Sequence, residues 1–130
     1  MTAADEEFAR EFARLSAAFV AQLPRQVQAL SDDLVAWLSV PRDAALLERL
    51  SHKVHQLKGA GGTFGCSGIS DSARALQQRL ATLRSDATGG SASAMDEVES
   101  AMDALRREAN RIYGESAQGG RRGKQTCRFC

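Results

Sequence analysis

The sequence predicts an all-α fold, an up-and-down antiparallel four-helix bundle with an additional N-terminal helix. Two observations lead there. Five segments carry apolar residues at three-and-four spacing, which gathers them on one side of a helix, and no segment alternates as a strand would. Most of the breaks between these segments are short, and short connections between amphipathic helices favour antiparallel neighbours. A chain of 130 residues has room for one such core and little more.

The first segment runs from Asp5 to Leu23, with Phe8, Phe12, Leu15 and Phe19 on its stripe. Pro24 disfavours helical geometry at the residue before it, so this helix is expected to end at Leu23. A second is expected to begin at Pro24, where a proline costs least. Its stripe is Val27, Leu30, Leu34, Trp37 and Leu38, and Ser39-Val40-Pro41 stops it. The third starts at Asp43 as N-cap and carries Leu47, Leu50, Val54 and Leu57, continuing through Gly61 to Phe64. Gly65 to Gly68 reads as a break, after which Ile69, Ala73, Leu76, Leu80 and Leu83 mark a fourth helix ending near Ser85. Asp86 to Ser93, with adjacent Gly89 and Gly90, reads as a flexible connection. Met95, Val98, Met102, Leu105 and Ile112 define the fifth helix, which Gly114 is expected to end. Residues 1–113 thus read as the bundle domain and 114–130 as a disordered, basic, glycine-rich tail.

Composition narrows the function classes. Hydrophobic residues at 43% and charged residues at 25% are the proportions of an ordinary soluble globular protein. A net charge of +1 gives no reason to expect nucleic acid, because the only clustered cations, Arg121, Arg122, Lys124 and Arg128, belong to the tail. No apolar run of about 18 residues would span a membrane. The acidic start at Met1 to Arg10 lacks the basic and apolar stretches of a secretory signal, so the expected address is cytoplasmic. Three cysteines, with Cys66 far from Cys127 and Cys130, make no disulfide framework, and Cys66 reads as a small buried hydrophobe.

The third helix holds the chemistry. At 100° per residue, His55 lies roughly 130° from the centre of its apolar stripe and therefore faces solvent. Gly59 and Gly62, four and seven residues on, share that face. Each glycine inside a helix costs about 1 kcal/mol relative to alanine, so two on one exposed face call for an explanation. Helical side chains lean toward the N-terminus, so a side chain at 59 would cover His55, and glycine leaves the imidazole open. Lys58 on the adjoining flank can set an ammonium beside an anion on His55. Gly61 instead falls on the buried stripe, where it permits close helix packing. An exposed nucleophile, a nearby cation and room for a partner suit a histidine that receives a phosphoryl group.

The stretch His55-Gln56-Leu57-Lys58-Gly59-Ala60-Gly61-Gly62-Thr63-Phe64-Gly65 strongly resembles the histidine-containing phosphotransfer (HPt) domain family, whose motif is His-x-Leu-Lys-Gly followed by small residues and a glycine. The resemblance implies a four-helix bundle in which His55 is the phosphoacceptor, Lys58 offsets the phosphate charge and Gly59 gives the partner access. It also implies a polar residue on the following helix that supports the second imidazole nitrogen, and Gln77 matches by spacing. Gly62, His52 and Gln56 are expected with Gly59 in the docking rim, while Arg49 and Lys53 read as solvated charges able to steer an acidic partner. The implied function is that of a monomeric phosphocarrier in a two-component phosphorelay, exchanging a phosphoryl group with the aspartate of response-regulator receiver domains and served by a sensor or hybrid histidine kinase. No cofactor of its own is expected, the Mg²⁺ belonging to the receiver, and no Walker-type loop provides for ATP.

Two other readings remain. His52 and His55 with Cys127 and Cys130 would give two nitrogens and two thiolates, a set that suits zinc, although the cysteines sit at the end of the tail. A bundle that binds receivers without accepting phosphate would have no need of His55.

Overall fold

The computed structural model describes residues 2–40, 43–85 and 92–117. Within them the chain forms four α-helices and no strand: α1 (Ala3–Ser39), α2 (Ala44–Thr63), α3 (Ser67–Ser85) and α4 (Ala92–Ala117). Cross-helix pairs fix their sense. Along α2, Glu48, His55 and Gly62 meet Arg84, Gln77 and Ser70 of α3, so the two run antiparallel. Arg79 of α3 meets Glu97 of α4 while Gly68 lies against Glu108, again antiparallel. Lys53 of α2 reaches Asp33 of α1 while Phe64 packs on Phe19, so α1 and α2 are antiparallel too.

The expected separate N-terminal helix is not formed; its residues are the first half of α1, which passes through Pro24 unbroken. A proline inside a helix removes one backbone hydrogen bond and crowds the preceding turn, at a cost of about 3 kcal/mol. Against this stands a stripe that stays in phase across the proline: Phe19, Val20, Leu23, Val27, Leu30 and Leu34 are all buried. A break at Leu23 would have turned half of these apolar groups away from the core. At about 1.5 Å per residue α1 spans about 55 Å against about 30 Å for α2. The first turns of α1 therefore overshoot the α2–α3 end of the bundle. That corrects a second expectation, because of the stripe Phe8, Phe12, Leu15 and Phe19 only Phe19 is buried, while Phe8 is 70% exposed and Leu15 42%.

The other boundaries follow local chemistry. Thr2 and Asp5 form a capping box at the start of α1. Asp43 caps α2 as expected, its carboxylate accepting from the backbone N–H groups of Ala45 and Leu46. At the far end of α2 the N–H of Cys66 donates to the Gly61 carbonyl at 2.8 Å and that of Gly65 to Gly62 at 3.3 Å, a Schellman closure. It needs a left-handed residue, and Gly65 supplies it with φ 75°. α4 continues through Gly114 to Ala117, one turn beyond its expected end. The predicted connection at Asp86 to Ser93 falls outside the described residues up to Ser91, and the tail beyond Ala117 lies outside them altogether.

Among the described residues, twenty-two apolar side chains from the four helices and from Cys66 between α2 and α3 form one buried core, with Trp37, Leu50, Ile69, Leu76 and Leu105 among its largest members. Cys66 is fully buried in it, as expected, and is disulfide-bonded, which corrects the reading of it as a plain hydrophobe.

Candidate functional site

His55 projects from the solvent side of α2, and its ring is exposed. The buried positions of the helix are Leu47, Leu50, Val54, Leu57 and Gly61, a stripe that leaves position 55 at the α3-facing edge of the outer surface. From α3, the half-buried Gln77 brings its Nε2 to 3.2 Å from His55 Nδ1, joining residues 22 apart in sequence. The contact leaves Nε2 of the imidazole as the nitrogen directed away from α3. A primary amide offers either end to Nδ1 by a half-turn of its terminal torsion. With Nε2–H donating, the ring proton sits on His55 Nε2; with Oε1 accepting from Nδ1–H, the Nε2 lone pair is free.

The glycines divide as their wheel positions require. A Cβ added at Gly59 would meet nothing within 4 Å, so the surface over His55 is bare. At Gly62 the nearest atom would be Ser70 Oγ at 3.9 Å, an open setting as well. Gly61 is buried, and a Cβ there would press on Ser70 N at 3.0 Å and Ile69 Cγ2 at 3.1 Å, so it is a packing glycine between α2 and α3. His52 and Gln56 are exposed on the outer face, and Lys58 is half-buried three residues past His55.

Arg49 and Lys53 have a partner that their sequence neighbours did not reveal. Both reach Asp33 of α1, Lys53 Nζ at 2.8 Å and Arg49 at 3.8 Å. Their charge is thus partly answered from within the chain, which weakens the expectation that they steer an acidic surface. Asp33 escaped notice because its link to Lys53 spans 20 residues, beyond any helical repeat. On the α3 side, Glu48 and Arg84 pair at 2.7 Å two turns before His55. Between α1 and α2 an open groove of about 340 Å³, lined by Phe19, Leu30, Lys53, Gln56, Leu57 and Ala60 among others, borders the histidine helix on its other flank.

Among the described residues no cluster of three or more His, Cys, Asp or Glu side chains could hold a metal. The two thiolates of the zinc reading, Cys127 and Cys130, lie outside the described residues. No described helix is long and apolar enough to cross a membrane.

The described chain thus presents an exposed imidazole on a helical bundle, braced from the next helix and open on one side. A family model for the Hpt domain matches residues 14–108, and the chain belongs to that family. Hpt domains act by histidine phosphotransfer in two-component phosphorelays. No curated protein and no solved structure matches the chain significantly.

Proposed function

We propose that this chain is a phosphocarrier whose His55 accepts a phosphoryl group from the aspartyl phosphate of a response-regulator receiver domain and can return it to one. The observation that carries this reading is the bare helical face around His55, with Gln77 at 3.2 Å on its inner nitrogen and only glycine four residues on.

In the proposed step the Nε2 lone pair of neutral His55 attacks phosphorus. A P–N bond forms as the P–O bond to aspartate breaks, and the aspartate carboxylate leaves with the electron pair. The Nδ1 proton stays on the ring, donated to Gln77 Oε1, which holds the tautomer that makes Nε2 nucleophilic. Lys58 supplies positive charge close to the phosphoryl oxygens. The chain contributes a positioned nucleophile, worth part of the barrier through orientation alone, while the receiver brings the Mg²⁺. Gly59 and Gly62 admit the partner, with His52 and Gln56 on the rim of the contact. A sensor or hybrid histidine kinase stands upstream in this scheme, the carrier acts as a monomer, and its setting is the cytoplasm.

The test is to incubate the protein with a phosphorylated receiver domain and compare it with His55→Gln. Acid-labile, base-stable label on the unaltered chain alone is expected. Equal labelling of both would remove His55 from the reaction, and receiver binding without label on either would leave an interaction module in its place.

A further inference from the structure

The overhanging start of α1 carries an apolar stripe that the four helices leave open. Phe8 is 70% exposed and stacks on Phe12 at 6.0 Å, Phe12 packs on Phe64 at the α2–α3 end at 5.5 Å, and Leu15 is 42% exposed. Asp5 and Glu11 flank this stripe on its two sides, and with Glu6 and Glu7 they outnumber Arg10 and Arg14. Glu11 and Arg14 hydrogen-bond each other, so one of the two arginines is already engaged and the remaining field is acidic.

The chain holds a segment of matching chemistry. Residues 118–130 carry Arg121, Arg122, Lys124, Arg128 and Phe129, and no acidic side chain. Their starting point is also fixed. Arg106 of α4 bonds Ser31 of α1 at 2.6 Å, and Glu99 and Leu38 line one groove, so the two helices keep step in opposite senses. Continued, that register sets Ala117 level with about residue 20 of α1, about 18 Å short of Phe8. Treated as an unstructured chain, about 12 residues would have an r.m.s. length of about 17–21 Å. For a chain of that length, a span of about 18 Å is the one at which the effective concentration of Phe129 over Phe8 would be greatest. Cys66, beside Phe64 at this same end of the bundle, is disulfide-bonded, and the only other cysteines of the chain are Cys127 and Cys130.

We propose that the basic C-terminal segment 118–130 docks on the first turns of α1, with Phe129 against Phe8 and Leu15 and its cations among Asp5, Glu6, Glu7 and Glu11. The segment covers the apolar face that the bundle does not reach.

The experiment records amide NMR spectra of the full chain with and without reductant, at low and at high salt. It compares the unaltered protein with R121E/R122E/K124E/R128E, with Phe129→Ser and with Phe8→Ser, all at exposed or tail positions that spare the core. Docking predicts shifts at residues 5–15 on altering the tail, reciprocal shifts in the tail for Phe8→Ser, and a smaller effect at high salt. Unchanged signals at 5–15 in both tail variants would overturn the proposal. So would a difference that vanishes on reduction alone, since the disulfide and not the surface would then be holding the segment. Concentration-dependent shifts at 5–15 that ignore the tail substitutions, with doubled mass in sedimentation, would assign the face to a second copy and overturn it likewise.

Discussion

Gln77 Nε2 lies 3.2 Å from His55 Nδ1, and this single contact couples the exposed imidazole of α2 to α3. Losing a hydrogen bond of this kind is worth about 1 kcal/mol, or about fivefold in a rate. Gln77→Ala is expected to slow phosphoryl uptake by about that factor and to change the ring-nitrogen spectrum of His55 toward a mixture of tautomers. Gln77→Glu, which still accepts from Nδ1–H, is expected to restore one tautomer. An unchanged nitrogen spectrum in Gln77→Ala would show that the amide does not set the proton.

Two glycines two positions apart should answer alanine with opposite signs. At Gly59 the added methyl meets open space, and replacing glycine inside a helix gains about 1 kcal/mol. At Gly61 it presses on the backbone of Ser70 and on Ile69, an overpacking that costs about 1–3 kcal/mol. Thermal unfolding should therefore shift up for Gly59→Ala and down for Gly61→Ala, by about 4 °C for each kcal/mol.

Room at Gly59 is expected to matter for exchange more than for folding. Gly59→Leu should leave the melting temperature at or above that of the unaltered chain, yet reduce transfer from a receiver by more than about tenfold as its side chain covers the imidazole. Transfer at the normal rate in that variant would mean that partners approach from another direction.

Asp33 holds Lys53 and Arg49 together across the α1–α2 seam. Partly exposed ion pairs contribute about 0.2–1 kcal/mol, so Asp33→Asn is expected to lower stability only modestly. Its larger effect should be kinetic: two released cations on the histidine helix itself should speed association with an acidic partner surface and steepen the salt dependence of that rate, read by stopped-flow.

Much of the site was legible in the sequence because it is local. His55, Lys58, Gly59 and Gly62 lie within two turns of one helix, where periodicity alone sorts buried from exposed positions, and the packing role of Gly61 followed from the same wheel. Gln77 could be named only through the resemblance, since nothing in the spacing of α3 says which of its polar residues meets position 55. Asp33 had no local signature at all. In the fold, the continuity at Pro24 was misread because the cost of a proline is visible in sequence while the burial that outweighs it depends on α1 meeting two other helices, α2 and α4. The exposure of Phe8 and Leu15 has the same origin: a stripe shows which side of a helix is apolar, not how far its neighbours extend.

Ser70, Gln77 and Arg84 face Gly62, His55 and Glu48 at successive two-turn steps of the same seam. The pose of the imidazole is consequently inherited from the meshing of two helices joined by a tight Schellman turn, and no surface loop has to close over it. An arriving protein meets a ring whose orientational entropy was surrendered during folding, so little of the encounter's free energy is lost in arranging it.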